Sequence, residues 1–166
     1  MYNINDYIIY GSMSVCKVID IIEEDNKYNN YKDYYVLQPL YSDKSAIIKV
    51  PVENVSVFMR PILSKDDVMS LIHNMNKIEN LWIDNDKQRS NEFKSIIKNN
   101  ISGELAQLIQ SIYQTKEEKT SAGKKISKYD EEIMKSAEKL LEEEFATVLN
   151  INVEDVQNFI LSHMSE

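Results

Sequence analysis

The sequence predicts an α+β protein of two parts: a small bent β-sheet over residues 1–63, then an all-α domain of about five helices over residues 64–166. Three observations predict it. Short β-branched and tyrosine-rich runs, broken by turn residues at roughly ten-residue spacing, fill the first part. At Ser64 the apolar pattern switches abruptly to helical spacing. The length, 166 residues, suffices for one medium domain or two small ones.

Five strands are expected. Tyr7-Ile8-Ile9-Tyr10 is an apolar run closed by Gly11. Val15, Val18, Ile19, Ile21 and Ile22 form a second, β-branched run. Asp25 to Lys32 is polar and turn-prone, as a hairpin tip is. Tyr34-Tyr35-Val36-Leu37 is the third strand, stopped near Pro39. After the turn Ser42-Asp43-Lys44-Ser45 comes Ala46-Ile47-Ile48-Lys49-Val50; Pro51 ends that strand or places it at a sheet edge. Val55 to Met59 is the last strand.

The helices follow. Ser64 caps a helix in which Val68, Leu71, Ile72 and Met75 recur, with Asp67 near the first-turn amides. The period is lost from Lys77 to Asp86, where Trp82 lies between Leu81 and Ile83. A second helix runs from about Asn85 to Lys98, with Phe93, Ile96 and Ile97 inward, and breaks at Asn99-Asn100. A third starts near Ser102-Gly103, with the stripe Leu105, Leu108, Ile109, Ile112 and Tyr113. Lys116 to Lys125 reads as a loop or frayed end. A fourth begins at Ser127, whose hydroxyl caps the amides near Asp130; its stripe is Ile133, Met134, Ala137, Leu140, Leu141, Phe145 and Val148. Asn152, with Asp155, caps a short last helix carrying Val156, Phe159, Ile160 and Met164.

Composition excludes several classes. No run of ~18 apolar residues offers a membrane span, and Met1 to Tyr10 does not read as a secretory signal. One cysteine, Cys16, allows no internal disulfide, fits a reducing cytoplasm and reads as a buried structural residue. Three glycines build no phosphate-cradling loop. His73 and His163 lie far apart without ligand-spaced neighbours. Glu142-Glu143-Glu144 reads as a solvated acidic face. No catalytic residue, metal site or cofactor is expected, and the chain is read as a non-enzyme.

The net charge of −8 at first argues against nucleic acid. It is unevenly spread. Residues 129–166 hold 10 acidic and 2 basic side chains, whereas residues 64–128 hold 11 basic and 9 acidic. Screening over ~8 Å lets a local basic surface act despite a remote acidic one. Non-specific coating of DNA is disfavoured.

Tyr34-Tyr35-Val36-Leu37, Val50-Pro51-Val52-Glu53-Asn54 and Met59-Arg60-Pro61-Ile62-Leu63-Ser64 resemble, in order and spacing, motifs of the CarD/CdnL family of bacterial RNA polymerase-binding regulators. Tyr10-Gly11 with the Val15–Ile22 strand, the lone Trp82, and the Ser102-Gly103-Glu104-Leu105 helix extend the resemblance over essentially the whole chain. The family's Gly-Asp opening is here Asn5-Asp6, and its His-Gly loop is Ser12-Met13-Ser14. The resemblance implies a Tudor-like barrel, shared with the transcription-repair coupling factor, that lays an edge strand beside the polymerase β-subunit. Ala46, Ile47, Ile48, Lys49, Val50 and Pro51 then form the polymerase-binding strand. On the residues alone, Ile47 and Lys49 point outward from an ordinary edge.

For the helical domain the resemblance implies contact with the upstream edge of melted promoter DNA, mostly without base specificity, with Trp82 as a minor-groove wedge. On the residues alone, Trp82 packs in a core. Lys87, Arg89, Lys94 and Lys125 are the expected phosphate contacts. Many members carry two arginines shortly after the tryptophan; Asp84 and Asn85 stand there in this chain, followed by Asp86, and three to four extra residues precede Asn99-Asn100. The expected protein is a cytoplasmic monomer, drawn to the nucleoid through the polymerase, with no membrane partner. A protein–protein adaptor with Trp82 buried is the alternative.

Overall fold

A computed structural model describes residues 1–27, 30–53 and 56–165. The chain divides into two compact units, Met1–Ile62 and Leu63–Glu166. Among the described residues, the first is an antiparallel sheet and the second holds five α-helices, an α+β arrangement.

The sheet comprises β1 (Tyr7–Tyr10), β2 (Val15–Asn26), β3 (Asn30–Pro39), β4 (Ile48–Pro51) and β5 (Met59–Pro61), in the order β4-β3-β2-β1-β5. β2 and β3 are the long central pair, in register from Cys16↔Pro39 to Asn26↔Asn30. One irregularity between Val18 and Asp20 shifts their pairing, which lets alternate side chains of β2 change face. Ile8, Cys16, Val18, Tyr35, Leu37 and Val50 form the core of this unit. Cys16 is fully buried, as expected, and burial pushes its thiol up to about 11.

Gly11 makes the first turn possible. Its φ is +56°, and a Cβ there would stand 2.9 Å from Val57 Cγ1. Its amide donates to the Phe58 carbonyl at 2.7 Å, holding the approach to β5 against the end of β1.

Three expectations for this unit change. The sheet is open, with β4 and β5 at its edges, so the barrel expected from the resemblance is not closed by pairing among the described residues. The strand expected from Ala46 begins at Ile48. Asp43 holds a turn instead: its carboxylate accepts the Ser45 amide at 2.9 Å and its carbonyl accepts the Ala46 amide at 3.0 Å. The strand expected over Val55–Met59 is found at Met59–Pro61, paired to β1 through Tyr10↔Met59 and Ile8↔Pro61. An edge tolerates Pro61, which has no amide to donate. Asn54 of the Val-Pro motif and Val55 lie outside the described residues, as does part of the expected hairpin tip.

The second unit holds α1 (Lys65–His73), α2 (Asp86–Asn99), α3 (Ser102–Ser121), α4 (Lys128–Leu149) and α5 (Val156–His163). Caps set their starts. Ser64 Oγ accepts the Asp67 amide at 3.1 Å, Asn85 Oδ1 the Gln88 amide at 2.9 Å, and Ser127 Oγ the Asp130 amide at 3.0 Å. Asn100 and Asn150, at φ +50° and +54°, end α2 and α4 in the left-handed region. α3 and α4 pack along each other, and α2 lies against both. Phe93, Leu105, Leu108, Ile112, Ala137 and Phe145 are fully buried; each of the large ones contributes about 1.5–3 kcal/mol by leaving water.

Four expectations change here. α3 continues through Lys116–Lys119, where a loop was expected, and ends in a Schellman motif: Gly123, at φ +72°, donates to Thr120 and Lys124 donates back to Lys119. Tyr113 is 51% exposed and lies outside the apolar stripe. The side chain of Asn152 makes no cap bond; a 3₁₀ turn, Val153–Asp155, leads into α5 instead. The acidic run is not a solvated face. Glu143 and Glu144 are buried, and Glu144 accepts the Leu63 amide at 3.0 Å and the Ser102 hydroxyl at 2.6 Å. Two donors compensate the burial of that carboxylate.

Candidate functional site

β4 is a short edge with an exploitable backbone. It pairs with β3 through Tyr35↔Val50, Val36↔Lys49 and Leu37↔Ile48, and the Val52 amide donates to the Asp33 carbonyl at 2.9 Å. Antiparallel ladders alternate bonded and non-bonded pairs. From that bond, the amides of Val50 and Ile48 face β3 and that of Lys49 faces outward. Pro51 falls on the outward phase, where a missing donor costs the sheet nothing. Val50 is buried and Ile48 leans on the core, whereas Ile47, Lys49 and Pro51 are exposed. Lys49 reaches across to Glu24 on β2 in an ion pair with both partners about half exposed. Ala46 lies in the turn before the strand.

Between α1 and α2 a 3₁₀ turn, Met75–Lys77, is followed by an irregular segment that carries Trp82, and α3 holds that segment. Gln107 donates to the Glu79 carbonyl at 3.1 Å, Ser111 Oγ accepts the Leu81 amide at 2.9 Å, and Gln114 accepts from Asn80 Nδ2 at 3.0 Å. Positions 107, 111 and 114 share one face of α3. Asn80 Oδ1 in turn accepts the Trp82 amide at 2.8 Å.

The indole is partly buried. Its ring meets the Phe93 ring edge-on, with centroids 6.1 Å apart. Arg89 Cζ lies 4.3 Å from the ring centroid and Lys119 Nζ lies 5.3 Å from it, within cation–π range.

Arg89 is 6% exposed and Asp130 is 1% exposed. Arg89 Nε and Nη2 donate to the two Asp130 oxygens, both at 3.0 Å. Nη2 also donates to Asp86 at 2.8 Å. Nη1 donates to the carbonyls of Ile83 at 2.8 Å and Asp84 at 3.3 Å. All five guanidinium donors are thereby matched. Burial alone would lower the pKa of Arg89; the bonds and charges of Asp130 and Asp86 outweigh it and raise it. The Ser127 hydroxyl donates to Asp130 at 2.6 Å, anchoring the carboxylate at the start of α4.

This corrects the expectation for Arg89. A guanidinium with every donor committed inside the helical unit has none to offer a phosphate. The other expected contacts are exposed. Lys87 borders a shallow depression with Asn85, Gln88, Asn91 and Glu92. Lys94 stands over the Tyr129 ring at 5.7 Å. Lys125 lines a cleft of about 620 Å³ with Lys116, Lys124, Lys128 and Glu131, none of which borders the Lys87 depression. Trp82 and Arg89 are brought together; Lys87 and Lys94 lie along one face of α2, and Lys125 lines the cleft. The sequence gives Lys119 no role, because Lys116 to Lys125 reads there as a loop or frayed end. Asp130 was read only as a cap partner.

Among the described residues, no group of three His, Cys, Asp or Glu side chains is placed to hold a metal. No helix among them is long and apolar enough to cross a membrane. Residues 2–63 match the family model described as the CarD-like/TRCF RID domain. The sheet unit is thus similar to an RNA polymerase β-subunit interaction module, consistent with a CarD-like protein. No curated protein matches the chain.

Proposed function

We propose that this chain is a non-enzymatic transcription regulator. The sheet unit binds the RNA polymerase β-subunit, and the helical unit stabilises the promoter open complex at the upstream edge of the bubble. The single observation that carries the reading is the RID-domain match over residues 2–63, joined by an open edge strand, β4, whose outward phase carries Lys49 and the donorless Pro51. Strand addition along this edge gives affinity through main-chain bonds. Trp82 supplies an apolar ring at the distorted DNA junction. Lys119 beside that ring, with Lys87, Lys94 and Lys125 further out, supplies phosphate attraction in place of Arg89. Two weak contacts on one chain reinforce each other through effective concentration.

A second reading is an adaptor without DNA contact. It draws on the contact of the indole with Phe93 and on the exposed acids Asp84 and Asp86 beside it. Open-complex lifetime with the cognate polymerase separates the two. Wild-type protein should lengthen it, and Trp82→Ala should remove the gain while retaining polymerase affinity. A folded Trp82→Ala with undiminished effect favours the adaptor.

A further inference from the structure

We infer that the buried Arg89–Asp130 pair, whose members lie 41 residues apart in sequence, is a positioning device for Trp82, setting the indole's place from the start of α4. This rests on the reading of Trp82 as a DNA-contacting side chain. The destinations of the five donors carry the inference. Two go to Asp130, which the Ser127 cap anchors. Two go to the carbonyls of Ile83 and Asp84, directly after Trp82. The fifth goes to Asp86, in the first turn of α2. Cζ of the same group lies 4.3 Å from the indole centroid. One side chain therefore grips the backbone beyond the tryptophan, supports its ring, and ties both to a different helix.

Stability alone gives a poor account of such a pair. Buried ion pairs are often matched or exceeded by apolar replacements of similar size, and their best-attested use is to specify one geometry. The geometry specified here is that of a loop with no helix or strand of its own. Asn80, Ser111 and Gln114 hold its entry; Arg89 holds its exit. A planar fork is required, because a lysine ammonium cannot serve two carboxylates and two carbonyls in fixed directions from beside a ring. A wedge acts only when aimed, and a loosely supported site loses its function while remaining present.

The chain has a single tryptophan, so its fluorescence reports this side chain alone. The variants are Asp130→Asn, which keeps shape and removes charge, and Arg89→Lys, which keeps charge and removes the fork. Each is measured in the full chain by emission maximum, acrylamide quenching, open-complex lifetime and polymerase affinity. Both should shift the emission and raise quenching about twofold, lose about tenfold of the open-complex effect, and leave polymerase affinity unchanged. Adding either change to Trp82→Ala should cause no further loss of open-complex effect, the non-additivity of groups acting through one another. A folded variant whose tryptophan emission and quenching match wild type overturns the proposal. If one variant fails to fold, the other decides on the same readings; if neither folds, the pair is a stability element and the proposal falls. If fluorescence responds but Trp82→Ala itself leaves open-complex lifetime intact, the pair positions Trp82 and it is the DNA reading that fails.

Discussion

The β4 edge and the Trp82 corner both present a charged residue beside a candidate contact, and they are built on opposite principles. At the edge, Lys49 and Glu24 are each about half exposed, and what a partner would grip is backbone. At the corner, Arg89 and Asp130 are nearly sealed from solvent, and what a partner would meet is one ring. An exposed pair gains little because water screens it and flexible side chains must be ordered. A sealed pair must be complete, because either charge left alone is stranded in a low dielectric. Similar charges therefore do different work: one pair is expendable, the other organises a loop.

The largest expected effect tests that contrast directly. Asp130→Ala should destabilise the helical unit by about 3–5 kcal/mol in chemical denaturation, since it leaves Arg89 buried and unpaired. Lys49→Ala should cost under ~1 kcal/mol. Equal costs would erase the distinction.

Next in size is the titration of Cys16 in the sheet core. Its folded pKa, about 11, lies above the ordinary 9.0. The folded state thus holds the proton more tightly, and this contribution is complete below pH 9. It is lost as pH rises from 9 toward 11, by about 2–3 kcal/mol at ~1.4 kcal/mol per pKa unit. Replacing Cys16 by Ala should flatten that part of the stability–pH curve. A slope that survives the substitution would assign it to other groups.

A smaller effect sharpens the account of the edge. Lys49→Pro removes an outward amide that β3 does not use, so polymerase affinity should fall about tenfold while the sheet stays folded. Val50→Pro removes an inward amide and should unfold the sheet unit. Lys49→Ala keeps the amide and should bind nearly as wild type. If Lys49→Pro binds as well as Lys49→Ala, main-chain pairing at β4 is not the mode of binding.

How legible each region was follows from how local its physics is. Pro51 marks an edge strand by its own chemistry, and β4 is an edge. Ser64 and Ser127 are followed three residues later by aspartates, and both cap their helices. The loss of helical period around Trp82 was plain in the residues. Its supports were not, because Gln107, Ser111 and Gln114 read as ordinary polar positions of an amphipathic helix. The end of α3 is hard to see in the sequence although Gly123 is its stop signal, because polar residues read as loop where a helix merely faces water.

The sequence by itself determined the order of strands before helices, the switch to helical spacing at Ser64 and the sheet edge, all set by spacing and backbone chemistry within a few residues. Tertiary structure alone decided which charges are sealed. Glu142, Glu143 and Glu144 are identical side chains in one helical turn, yet Glu144 is fully buried and bonded to Leu63 and Ser102, while Glu142 remains partly exposed. Arg89 looked like a surface cation until Asp130 met it from 41 residues away. The cost of burying a charge is a property of the space around it, and that space is defined only when the helices have packed.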